Sequence, residues 1–365
     1  MPRPPVRLRP EIAALPAYRQ GKPAAAGGYK LSSNENPFDP LPGVLDAIRD
    51  ALDVNRYPDA SAAELRGALA EKFRVALDEV HVGAGSVSLL TQFITAAAGH
   101  GDEVVHAWRS FEAYPGQVIV AGASAVRVPL RADGGHDLSA MAAAITDRTR
   151  IVLVCTPNNP TGVIVTRDEF ATFMDAVPSD LIVLLDEAYA EFVRDPAAVD
   201  GRELLGRYPN LVILRTFSKA WGLAGLRLGY AIGPAHVLDA ARAAAIPLSV
   251  TGVAQAAGLA ALRDEDELLA RVDTIVERRG RAAEGVRALG IDVPISQGNF
   301  IWLPLGADAE AAGQLMEGAS IAARVFPGEG VRVSIGEEES VDAVLRIAED
   351  IVDKLRKSAR SASVD

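Results

Sequence analysis

Three short apolar runs end on residues that could share one reaction. Ile151-Val152-Leu153-Val154 leads into Cys155-Thr156-Pro157-Asn158-Asn159-Pro160-Thr161-Gly162, Leu181 to Leu185 into Asp186-Glu187-Ala188-Tyr189, and Leu211 to Leu214 into Thr216-Phe217-Ser218-Lys219. Successive run ends thus present an amide, a carboxylate with a phenol three residues on, and an amine with hydroxyls. A lysine just beyond a buried strand becomes a nucleophile when its ammonium is desolvated or set near another cation, because both lower its pKa. By itself Lys219 reads first as a surface lysine that opens a helix.

A fourth loop, Gly83-Ala84-Gly85-Ser86, follows Val80-His81-Val82 and enters a helical stretch from Val87 to Ala98. Its glycines let backbone N–H groups approach an anion at a helix amino terminus. Val87 and Ser88 do not supply the third glycine of a dinucleotide fingerprint, and alone the loop fits either a phosphate cup or a tight turn. An anion cup, a strand-end carboxylate and a strand-end lysine together meet the demands of pyridoxal phosphate, which needs a phosphate site, a partner for its ring nitrogen and a Schiff-base amine. An ionised Asp186 keeps that nitrogen protonated, and Asn159 and Tyr189 can donate to the ring phenolate. Arg227 suits the phosphate alongside Thr216, Ser218 and the Gly85-Ser86 amides.

These residues need a frame. From about 60 to 245, helical periodicity alternates with continuous apolar runs, which argues for an open α/β domain with a mostly parallel sheet and helices on both faces. Ligands in such folds sit beyond the carboxyl ends of the strands, where the candidate residues lie. At 365 residues the chain exceeds one growing core, so a second lobe is expected. The division reads as an arm over 1–30, a large domain over 31–245 whose first residues can pack with the small domain, a smaller α+β domain over 246–357, and a disordered tail over 358–365. The small domain is expected to end in a helix from roughly Ser340 to Lys357.

A formal charge of −11 opposes non-specific binding to nucleic acid or anionic membrane. One cysteine, Cys155, excludes an internal disulfide, and five histidines lack metal-ligand spacing, so no metal is expected. The amino terminus lacks the apolar segment of a signal peptide and no run reaches the roughly 18 to 20 apolar residues of a membrane span, so a cytoplasmic protein is expected.

Asn159-Pro160-Thr161-Gly162, Asp186-Glu187-Ala188-Tyr189, Thr216-Phe217-Ser218-Lys219 and Gly225-Leu226-Arg227-Leu228-Gly229-Tyr230 resemble the fold-type I pyridoxal-phosphate aminotransferases, in the histidinol-phosphate aminotransferase branch. The resemblance runs from Ser33-Asn34-Glu35-Asn36-Pro37 to Val331-Arg332-Val333. It implies Lys219 as the Schiff-base lysine, Phe111 stacked on the ring where many members have tyrosine, and Arg332 gripping the substrate α-carboxylate. It also implies a homodimer in which Tyr57 reaches the cofactor phosphate of the other subunit. Arg324 is open between a substrate anion and a structural ion pair, and Asn34, Tyr18 and Asn299 lie in segments used near the substrate.

Arg7-Leu8-Arg9-Pro10-Glu11 and Trp108-Arg109-Ser110-Phe111-Glu112 resemble the aromatic (phenylalanine) aminotransferases of this branch more closely. The implied reaction moves an amino group between phenylalanine or tyrosine and a 2-oxo acid such as 2-oxoglutarate. Histidinol phosphate is the alternative substrate. A decarboxylase, a lyase and a non-enzymatic regulator are the remaining readings.

Overall fold

A computed structural model describes residues 6–17 and 20–362, the side chains of 357–362 excepted. Its strands are β1 (Tyr29–Leu31), β2 (Val80–Gly83), β3 (Glu103–Trp108), β4 (Ser124–Pro129), β5 (Thr149–Cys155), β6 (Ile182–Asp186), β7 (Leu211–Thr216), β8 (Gly229–Ile232), β9 (Phe300–Leu303), β10 (Ile321–Phe326) and β11 (Gly330–Ser334). Seven of them form one sheet in the order β2-β8-β7-β6-β5-β3-β4, and β1-β10-β11-β9 form a second.

The apolar runs become buried strands because both faces of the large sheet are covered. Ile151, Leu153, Leu184, Val212 and Leu214 pack into one apolar cluster with the helix Ser86–Ala97. Their alternate neighbours Val152, Val154, Val183, Leu185 and Leu211 pack into another with the helix Arg167–Ala176. Side chains alternate across a strand, so two covered faces require an unbroken apolar run. Each buried Val, Leu or Ile contributes about 1.5–3 kcal/mol.

Only β8 runs against the others. It pairs antiparallel with both β7 and β2, which brings Gly83, Thr216 and Gly229 into register at one edge. The residues after β2, β5, β6 and β7 and those before β8 therefore meet along one edge. Arg227, two residues ahead of β8, is delivered there by the reversed strand.

The second sheet carries Arg332 on β11, flanked by β9 and β10. Its helices include Glu265–Ala288, Ala309–Gly318 and Glu338–Ala362. Two expected boundaries shift. Tyr29–Leu31 is a strand paired in parallel with Ile321–Ala323, so the small sheet claims residues assigned to an arm over 1–30. A three-residue strand is too short to show a period. The last helix reaches Ala362 rather than stopping near Lys357, because Ser358-Ala359-Arg360-Ser361-Ala362 contains no glycine or proline to break it. The supposed tail from 358 is helical to that point.

The arm is not wholly extended either. Pro10–Ala13 forms one helical turn, and the Arg9 guanidinium donates to the carbonyls of Ile119 and Val120 at 3.3 and 3.1 Å. A cation there meets the last-turn carbonyls of the helix Ala113–Ala121, the negative end of its dipole.

Candidate active site

Lys219 sits in the bend after β7, its Nζ donating to the Ser33 carbonyl at 3.1 Å. It opens no helix. Burial, with Arg332 and Arg227 as further cations, lowers its amine to about 7, against the opposing pull of Glu35 and Asp186. Near neutral pH a large share of this amine is uncharged and nucleophilic.

Asp186 ends β6, facing Cys155 of β5 and Leu214 of β7 in register. Its Oδ2 accepts from the Tyr114 hydroxyl at 2.7 Å and its Oδ1 from the Ala188 N–H at 3.3 Å. Burial raises its pKa, and the Tyr114 hydrogen bond opposes that rise. Among the described residues no ion pair to Asp186 is found. A buried carboxylate in that position favours a cationic partner, such as a protonated ring nitrogen.

The anion cup is built from both sides of β8. The helix Ser86–Ala97 starts directly after Gly85, which has a φ of 82°. Arg227, itself at φ 54°, turns its Nη2 into the space beside Gly85, and its Nη1 donates to Ser218 Oγ at 3.3 Å. A β-carbon on Gly229 would stand 2.5 Å from the Ser86 nitrogen, so only glycine lets the cup lie on β8. Helix amides, a guanidinium and a hydroxyl converge on one point, as a phosphate requires.

A second set of bonds ties the two sheets across the site. Arg332 donates from Nη1 to Asn159 Oδ1 at 2.5 Å and from Nη2 to the Ser32 carbonyl at 2.8 Å. The Asn34 N–H donates to Ser334 Oγ at 2.8 Å, and that hydroxyl donates back to Asn34 Oδ1 at 2.9 Å. Asn34 Nδ2 donates to the Tyr189 hydroxyl oxygen at 2.9 Å, and Asn299 Nδ2 donates to the Asn34 carbonyl at 3.1 Å. With its oxygen accepting from Asn34, Tyr189 can aim its own proton at a cofactor oxygen. Burial raises the Tyr189 pKa and keeps that proton in place. Phe111 packs edge-on against Tyr114, ring centroids 5.6 Å apart.

Lys219, Asp186, Asn159, Tyr189, Ser218, Arg227, Gly85, Ser86, Phe111, Arg332 and Asn34 are therefore gathered at one edge of the large sheet and the facing strands of the small one. The other four expectations divide. The Thr216 hydroxyl is used inside its own loop, accepting from the Ser218 N–H at 3.1 Å and lying 3.5 Å from the Leu228 carbonyl. It shapes the turn. Arg324 is held by Glu112 through Nε at 3.1 Å and Nη2 at 2.8 Å, so it makes the structural ion pair. Tyr57 is 86% exposed on the loop before the helix Ala63–Phe73. Tyr18 lies outside the described residues.

Tyr114 was not legible as a site residue. Its spacing of three from Phe111 places both on one side of a helical turn, but its contact with Asp186 depends on how that helix meets β6. Burial pushes the Cys155 thiol up to about 12, which makes it inert packing. Among the described residues no cluster suited to a metal ion occurs, and no helix is long and apolar enough to cross a membrane.

Comparison with known proteins agrees with this architecture. The family model for aminotransferase class I and II matches residues 27–347. An aromatic amino acid aminotransferase of Streptomyces coelicolor is 51% identical over 348 residues, covering 94% of this chain and 97% of the relative. A protein of the same name from Thermobifida fusca is 51% identical over 350 residues, covering 95% and 97%. Among solved structures, the histidinol-phosphate aminotransferase of Sinorhizobium meliloti in complex with pyridoxal 5'-phosphate superposes with a TM-score of 0.86 at 28% identity, covering 96% of this chain and 98% of that one. A family match across most of its length and relatives half identical over nearly all of it lead to one conclusion: the chain belongs to the class I and II aminotransferases, which work with pyridoxal phosphate.

Proposed function

We propose that this aminotransferase moves the amino group of phenylalanine or tyrosine to a 2-oxo acid such as 2-oxoglutarate. The observation that carries the reading is Lys219, an amine lowered to about 7 and set among Asp186, Tyr189, Arg227 and Arg332. The names of the half-identical relatives support the aromatic substrate.

Bound pyridoxal phosphate supplies an electron sink for the carbanion at the substrate α-carbon. The rest belongs to the chain. The Ser86 helix terminus, Ser218 and Arg227 would hold the phosphate, and Asp186 would hold the positive charge of the ring nitrogen. Asn159 and Tyr189 would donate to the ring oxygen. Phe111 would pack against the ring. Arg332 orients the α-carboxylate with its planar fork. Lys219 Nζ takes the α-proton as general base and returns a proton as general acid.

The 86% exposure of Tyr57 supports a homodimer in which this ring reaches the phosphate site of a second copy. The class implies amino-acid and 2-oxo-acid substrates, and the substrate side chain is what a donor panel decides. Phenylalanine and tyrosine are expected to give a higher kcat/KM than histidinol phosphate on one holoenzyme preparation. The reverse ranking would transfer the reading to histidine-pathway chemistry.

A further inference from the structure

Arg324 of β10 and Arg332 of β11 are cross-strand partners, so their side chains leave the small sheet on the same face, about 5 Å apart. Arg332 faces Asn159 and the Ser32 carbonyl inside the site. Arg324 therefore lies beside Arg332 on the same face of the small sheet. Its guanidinium is engaged by both carboxylate oxygens of Glu112.

Glu112 borders the site from the opposite domain. It follows Phe111, whose ring rests on Tyr114, the hydrogen-bond donor to Asp186. It immediately precedes the helix Ala113–Ala121 and makes no side-chain capping bond there, its carboxylate being turned to Arg324. The pair is neither deep nor free, with side-chain exposures of 20% for Arg324 and 30% for Glu112. The pair is bidentate, so only another anion able to take the same fork can displace Glu112 from Arg324.

We infer that Glu112 is a specificity-determining residue, an internal competitor for Arg324 that keeps this wall of the substrate site neutral. The inference rests on the aromatic reading above. An uncharged aromatic side chain enters with the pair intact. A distal carboxylate, as in glutamate or 2-oxoglutarate, must displace Glu112 to reach Arg324. Substrates with an acidic side chain are thus admitted at a cost.

A second cross-domain ion pair, Arg109 with Glu329, joins the same two segments and provides the control for a purely structural role. The experiment uses pyridoxal-phosphate-loaded wild type, E112Q, E112Q/R324M and E329Q in single-turnover half-reactions with phenylalanine, glutamate and histidinol phosphate. Replacing Glu112 by glutamine is expected to raise the rate-constant ratio of glutamate to phenylalanine about tenfold or more. E112Q/R324M should return this ratio to the wild-type level or below, and E329Q should leave it within about twofold.

An unmoved ratio in E112Q, or an equal shift in E329Q, would overturn the inference while a wild-type preference for aromatic donors left the functional reading standing. A wild-type preference for histidinol phosphate would overturn both.

Discussion

The Nη2 atom of Arg227 lies 2.6 Å from the point where a β-carbon on Gly85 would stand. Both residues have positive φ, 54° for Arg227 and 82° for Gly85, and a non-glycine residue in that region costs about 1–3 kcal/mol. The cup thus closes only around a glycine. Gly85→Ala should weaken pyridoxal phosphate binding by tenfold or more, roughly, while the circular dichroism of the fold is retained. An unaltered cofactor titration would count against the cup.

Lys219 is the base proposed for the proton transfer. Lys219→Ala should lower kcat by roughly 10³-fold or more, since general acid–base catalysis alone contributes 10²–10⁴-fold. Sustained turnover with both substrates at the wild-type rate would remove the lysine from the mechanism.

The amine also sets a pH dependence. Capture of pyridoxal phosphate through the proposed Schiff base requires neutral Lys219, whose pKa of about 7 lies below the ordinary lysine value of 10.5. The neutral fraction grows as pH rises through 7, so the stopped-flow capture rate should climb between about pH 6 and 8 and level off above. A rate still climbing steeply from pH 9 to 11 would show an ordinary solvated lysine.

Tyr114 positions Asp186. Tyr114→Phe removes the 2.7 Å hydrogen bond that opposes the rise in the Asp186 pKa, so the carboxylate becomes harder to keep ionised. Hydrogen bonds to charged groups contribute about 1.5–3 kcal/mol, which predicts a fall in kcat of roughly tenfold or more. The absorbance spectrum of the bound cofactor should also shift its pH response, a change that lost packing alone would not produce.

Arg332 is expected to act through its fork. Arg332→Lys keeps the charge but loses the paired donors, so KM for amino-acid donors should rise by about tenfold or more with little change in cofactor affinity. An equal loss of cofactor binding would assign Arg332 to the cofactor instead.

Much of this was legible in the chain alone. Val183-Leu184-Leu185 reads as a doubly buried strand because its alternate residues enter two different clusters. Asp186 and Lys219 sit immediately beyond such runs, so their place at the carboxyl edge follows from strand direction. Other features depend on contacts between residues far apart in sequence. Arg227 reaches Gly85 only because β8 is reversed. Tyr114 meets Asp186 across 72 positions, and Arg324 meets Glu112 across 212. Local residue order determined which chemistry the chain carries, because strand ends and glycine turns are local properties. Which cation is already neutralised and which carboxylate is held in place was decided by tertiary structure alone, since register and domain packing bring those partners together.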